Sequence, residues 1–201
     1  VAAAVRQAVD RGARVINLSL TTDRDDPGLR DAVRYARSRD AVLVAAAGNK
    51  QEAGHPRVFP ASYDGVVGVG GVQQDGARVA TSQTGPHVDL VAPGAEVTAA
   101  GREGHAIYTG TSFAAAFVAG TAALVRQYRP DLTADQVAER LIATTDTLDP
   151  AQASGLGAGL VNPYRAVTES LDGSTPSAPA PVTQRSPDAA AVRAAAQVSE
   201  N

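Results

Sequence analysis

VINLSL at Val15–Leu20 and AVLVAAAGN at Ala41–Asn49 decide the fold. Each contains a short, bulky apolar run of the length of a buried strand, and each follows a segment with helical spacing. Ahead of the first, VAAAVRQAVDRGA places Ala4, Val5, Ala8 and Val9 on one face, with Gly12 set to end the helix. Ahead of the second, Leu29, Ala32, Val33 and Ala36 form another apolar stripe. Helix–strand–helix–strand with near-continuous apolar strands predicts an α/β fold, a mostly parallel sheet with helices on both faces.

Working outward, residues 50–64 are polar and turn-rich, with His55-Pro56 and Phe59-Pro60, and read as a loop. VVGVGG at Val66–Gly71 reads as a third strand, and VDLVAPG at Val88–Gly94 opens an irregular region with short strands near Glu96–Ala99 and Ala106–Tyr108. A helix rich in small residues is expected from near Ser112 until Pro130 stops it. Thr133 and Gln136 have capping-box spacing and open a further helix. From Asp172 the composition shifts to Pro, Ser, Thr and Ala, which divides the chain into a domain over 1–171 and a linker or disordered tail over 172–201.

The 201 residues carry 18 basic and 21 acidic side chains, a net charge of −3 without the cationic footprint of a nucleic-acid binder. No apolar run approaches the roughly 18 residues of a membrane helix. With no cysteine, disulfides, thiolate metal sites and cysteine catalysis are excluded. The chain has no methionine and starts at Val1 in what reads as mid-domain sequence, so a fragment or processed piece is expected.

Two short motifs could carry chemistry. Gly110-Thr111-Ser112 precedes the small-residue helix, and a serine at a helix N-terminus lies in a positive potential that favours oxyanion charge nearby. Taken alone, such a serine is more simply an N-cap. AAAGN closes on Asn49 at a strand's carboxyl edge, where an amide can donate to charge forming on a carbonyl oxygen and where open α/β sheets place ligands. Taken alone, Gly-Asn is more simply a turn. Other candidates read as structure. GVGG at Gly68–Gly71 lacks the third glycine of a dinucleotide fingerprint. Asp23, Asp25 and Asp26 lack the alternation and closing glutamate of a calcium loop. Asn162 and Tyr164 are expected to tie the final helix to the domain.

In order and spacing, VINLSL, AAAGN, VVGVGG, VDLVAPG, GTSFAAAFVAGTAALV and the closing GAGLVNPYRAV resemble the subtilisin-like (S8) serine proteases over about residues 1 to 168. VRYARSRDAVLVAAAGN, FPASYDGVVGVGGV and RPDLTADQVAERL resemble most the mycosins, proteases associated with type VII secretion. The resemblance implies a three-layer subtilisin-like fold whose N-terminal strands are missing, and a serine endopeptidase acting by acyl transfer. It makes Ser112 the nucleophile, and Asn49 with the Ser112 backbone N–H the oxyanion donors. It makes Ser19 and Leu20 one wall of the primary side-chain pocket, and Ala47 and Gly48 another. Implied partners are peptide or protein substrates and type VII secretion machinery, with no cofactor and no metal. The implied location is extracellular or in the cell envelope, with a membrane anchor in the full-length protein.

The sequence also departs from that family. Chain order there is aspartate, histidine, serine, and the first two motifs have no counterpart here. His55, His87 and His105 each follow the wrong motif for a general base and are expected to be exposed loop residues. Without a base the hydroxyl of Ser112 is a poor nucleophile, so this chain alone is expected to be inactive. Ala116 stands where the family has proline. Thr21 and Thr22 follow Leu20 where glycines are usual, and their branched side chains are expected to crowd the substrate path. The competing reading is a non-catalytic pseudoprotease or truncated peptide-binding module.

Overall fold

The computed structural model describes residues 1–51, 57–102 and 104–171. The expected tail over 172–201 and His55 lie outside the described residues. Five helices and six strands are described. They are α1 (Ala2–Asp10), β1 (Val15–Leu18), α2 (Pro27–Ser38), β2 (Val42–Ala46), β3 (Val66–Val72), β4 (Leu90–Pro93), β5 (Val97–Gly101), β6 (Gly104–Tyr108), α3 (Thr111–Tyr128), α4 (Ala134–Ala143) and α5 (Pro163–Thr168). Strands β1-β2-β3-β4 form a parallel sheet in that order, and β5-β6 is a separate antiparallel hairpin.

Alternation along β2 sorts the two faces of the sheet. Val42, Val44 and Ala46 pack with Val67, Val69 and Leu90 against Ala114, Ala115, Val118, Ala122 and Val125 of α3, with Val137 and Leu141 of α4 behind. Leu43 and Ala45 face the other way, onto Val5 and Val9 of α1 and Leu29, Ala32, Val33 and Ala36 of α2. The small side chains of α3 let its backbone lie close to the sheet, so the start of the helix is fixed by packing along its length.

Capping follows the sequence. Asp26 Oδ1 accepts from the Leu29 amide at 3.0 Å and begins α2, and Thr133 with Gln136 forms the reciprocal box on α4. Asp25 accepts from the Tyr63 hydroxyl at 3.0 Å and pairs with Arg30. The acidic cluster thus serves helix capping and loop attachment, and no group of metal-binding side chains occurs among the described residues.

Four expectations are corrected. β1 is not a buried strand: among the described residues it pairs only with β2, and of its four residues only Leu18 is buried while Asn17 is exposed. Ala4 is exposed, because α1 touches the fold through the narrower stripe of Val5 and Val9. Tyr164 is 76% exposed and ties nothing down. Asn162 holds the last helix instead, accepting from the Arg165 amide at 2.9 Å and donating to Asp146. His87 is buried at 8% exposure, because its ring lies against the end of β2.

Candidate active site

All four strands of the sheet run the same way, so the residues after β1, β2 and β4 emerge at one edge. Helix α3 starts at that edge, drawn in by backbone contacts: the Gly110 amide donates to the Gly94 carbonyl at 2.7 Å, and the Gly94 amide to Val72 at 2.9 Å. Ser112 is the second residue of α3 and is partly exposed.

Asn49 reaches the same helix start. Its Oδ1 accepts from the Thr111 amide at 2.9 Å and from the Thr111 hydroxyl at 3.1 Å. A backbone N–H can only donate, so the atom facing it must be the carbonyl oxygen, and the orientation of the amide is settled. Nδ2 is therefore left to donate elsewhere. It lies 3.3 Å from where a Cβ on Gly110 would sit, so Asn49 and Gly110 are in close contact.

Thr111, which sequence reasoning missed, is the centre of this arrangement. It is fully buried, and its hydroxyl both donates to Asn49 and accepts from the Gly48 amide at 3.2 Å. The signal was present: the residue between Gly110 and Ser112 carries a hydroxyl at a position that packs inward. Gly48 has φ +105°, a backbone conformation in which a side chain would be strained, and a Cβ there would also strike Gln83. The Gly48 carbonyl accepts from the Gln83 amide at 2.9 Å.

The remaining candidates are placed as follows. Ser19 is exposed and donates from Oγ to the Ser112 carbonyl at 2.9 Å, while Asn17 Nδ2 donates to Ser19 Oγ at 3.0 Å, so the end of β1 is tied to the start of α3. Leu20 is 36% exposed beside it in sequence. Ala47 is fully buried, with its methyl in a cluster of Val72, Val88, Val91, Leu148 and Leu156, so only its backbone can face a ligand. Thr22 exchanges two backbone hydrogen bonds of 2.8 Å with Phe59, which commits its main chain to the loop over 57–64. The alanine at 116 leaves α3 unbroken from Thr111 to Tyr128.

No described histidine is bonded to Ser112. His105 lies exposed on β6, and His87 Nε2 is 3.2 Å from the Ala47 carbonyl. Nearby, burial pushes the Asp89 carboxyl above its ordinary range, opposed by the Gly68 amide at 2.7 Å and by His87.

The parallel sheet thus brings the helix-borne Ser112 and the anchored Asn49 side chain together at its carboxyl edge, where open α/β sheets place ligands. The subtilase family (peptidase S8) model matches residues 1–159, and the chain belongs to that family. It is 41% identical over 176 residues to a thermophilic serine proteinase of Bacillus sp. strain AK1, covering 84% of this chain and 41% of that protein. It is 35% identical over 212 residues to mycosin-2 of Mycobacterium tuberculosis, covering 84% of this chain and 38% of that one. The crystal structure of MycP1 with its N-terminal propeptide removed superposes with TM-score 0.73 at 33% identity, over 86% of this chain and 67% of that one. The subtilisin-like fold is thereby shown, and mycosins and Bacillus proteases stand at similar distances. The chain spans about two-fifths of the curated relatives just named.

Proposed function

We propose that this chain carries the nucleophile and the oxyanion donors of a serine endopeptidase, with Ser112 as the acylated residue. In this reading Ser112 Oγ attacks the scissile carbonyl of a peptide or protein. The Ser112 backbone N–H and Asn49 Nδ2 hold the oxygen as it gains charge. Ser19 with Leu20, and Ala47 with Gly48, flank the side chain before the scissile bond. The observation that carries the reading is the double acceptance by Asn49 Oδ1 from Thr111, which fixes the amide beside the residue preceding the serine.

The aspartate and histidine motifs that the resemblance calls for have no counterpart in this sequence, so in this reading the general base is supplied by a segment outside it. The chain alone is therefore inactive. Within the family we place it with the mycosins, at the cell envelope or outside it, with type VII secretion machinery as a partner. We propose a membrane anchor for the full-length protein; among the described residues no helix is long and apolar enough to cross a membrane.

The test uses a phosphonate probe that reacts with activated serines. It is applied to the 201-residue chain and to a version extended at its N-terminus by the aspartate- and histidine-bearing segment of a mycosin. Labelling at Ser112 is expected only in the extended protein and is abolished by Ser112→Ala. An extended, folded protein that resists the probe while still binding peptides would support the second reading, a peptide-binding module without catalysis.

A further inference from the structure

The hydrogen-bond ladder between β2 and β3 stops at a defined place. The Ala47 amide donates to the Val69 carbonyl at 2.9 Å, so in a continued parallel ladder the Ala47 carbonyl would accept from the Gly71 amide. Gly71 instead donates to the Ser82 hydroxyl at 3.0 Å. The peptide joining Ala47 to Gly48 has therefore turned out of the sheet, in a residue pair that is buried. Both of its polar groups need partners. Its N–H goes to Thr111 Oγ1 at 3.2 Å, and its carbonyl faces His87 Nε2 at 3.2 Å.

We infer that His87 is a positioning residue for the proposed oxyanion site: it holds the Ala47–Gly48 peptide in the orientation that delivers Asn49 to Thr111. This rests on the reading of Asn49 as an oxyanion donor. Because its partner is a carbonyl, Nε2 must carry the proton. The histidine is itself held. The Asp89 amide donates to the Gly68 carbonyl at 2.9 Å, and the Gly68 amide donates to Asp89 Oδ2 at 2.7 Å, clamping the 87–89 segment across β3. His87 and Asp89 also line a cavity of about 660 Å³ together with Tyr63 and Arg57. Without the donor, a buried carbonyl is left unpaired, and rotating the peptide to recover a partner would move Asn49, which is attached directly to it.

Two amide variants separate donation from burial. His87→Gln can place a donor near the position of Nε2, whereas His87→Asn is one methylene shorter and cannot reach Ala47. In the 201-residue chain, ¹⁵N NMR is expected to show the Gly48 and Asn49 signals, including the Asn49 side-chain amide, displaced in His87→Asn and near their original positions in His87→Gln. In the extended protein, Ser112 labelling by the phosphonate is expected to slow about tenfold in His87→Asn and less than about threefold in His87→Gln, the scale of a misplaced rather than deleted group. On a peptide substrate, kcat is expected to fall with KM nearly unchanged. Equal NMR shifts and equal labelling in the two variants would overturn the inference. If wild-type extended protein is not labelled at all, the functional reading fails, while the NMR comparison still decides whether His87 sets the peptide.

Discussion

The two ends of α3 are held by different chemistry. At its C-terminal end the buried Arg126 guanidinium donates to Asp40 Oδ2 and to the Leu132 carbonyl, both at 2.9 Å, and also to the Asp40 carbonyl. Asp40 in turn accepts from Arg14 at 2.8 Å and from the Ala134 amide at 2.5 Å, which joins the turn before β2 to the start of α4. At the N-terminal end no charge takes part: Thr111, Asn49 and Ser19 are neutral and short, and they bond to backbone groups or to one another. Long charged side chains tolerate small displacements because Coulomb attraction falls slowly with distance. Short neutral hydrogen bonds lose their energy within a few tenths of an ångström or a few tens of degrees. The charged end is suited to stability and the neutral end to placement, so substitutions at the two ends should separate the two properties.

The largest effect is expected at the neutral end. In the extended protein Asn49→Ala should slow Ser112 labelling by about 10²–10³-fold, the range known for a side-chain oxyanion donor in a subtilisin, with a stability loss in urea of about 1–2 kcal/mol because the buried Thr111 N–H loses its acceptor. At the charged end Arg126→Met should lower stability by about 2–3 kcal/mol, because it takes the donor from the Leu132 and Asp40 carbonyls and removes one of the three partners of the Asp40 carboxylate. Labelling of the protein that remains folded should be unchanged, as read by probe kinetics below the unfolding transition. Thr111→Val tests the join between the two properties. It keeps the shape but removes the acceptor of the Gly48 amide, so a loss of about 1–2 kcal/mol in urea unfolding should come with slower labelling.

The smallest effect is one of pH. Hydrogen bonding from Arg126 holds the Asp40 carboxyl below its ordinary value, against the cost of burial and with help from the Ala134 amide and Arg14. A carboxyl with a depressed folded value contributes stability above its unfolded pKa, and that contribution is lost as pH falls through the folded value. Asp40 is 42% exposed, so solvent screens the pair and the change is modest. Urea midpoints across the acid range should fall for wild type and fall less for Asp40→Asn. Matching slopes would remove Asp40 from the account of the charged end.

The sequence was most readable where a single periodicity met a single buried surface. Leu29, Ala32, Val33 and Ala36 are all buried as their spacing implies, and the Thr133–Gln136 box forms. β1 was misread because apolar content shows that a strand is bulky but not how many neighbours it has. The site was legible as two motifs, Asn49 and Ser112, and illegible as a network. Ser19 and Ser112 lie 93 residues apart, and Asn49 and Thr111 62 apart, so only the fold shows that they touch. His87, expected to be an exposed loop residue, follows the polar, turn-forming stretch Thr84-Gly85-Pro86 and is nevertheless buried. Its burial follows from the peptide that leaves the β2 ladder, which no local pattern reveals.

The central claim is that one substrate oxygen bonds to the Ser112 backbone N–H and to Asn49 Nδ2 together. The most direct measurement is ¹H–¹⁵N NMR of the extended protein before and after Ser112 is captured by a peptide boronate, which forms a tetrahedral oxyanion on the serine. The account predicts that one Asn49 side-chain proton and the Ser112 amide proton move downfield and exchange more slowly with water, with the Asn49 change absent when the adduct is formed on Asn49→Asp. An adduct on Ser112 that leaves both Asn49 side-chain protons unmoved would contradict it.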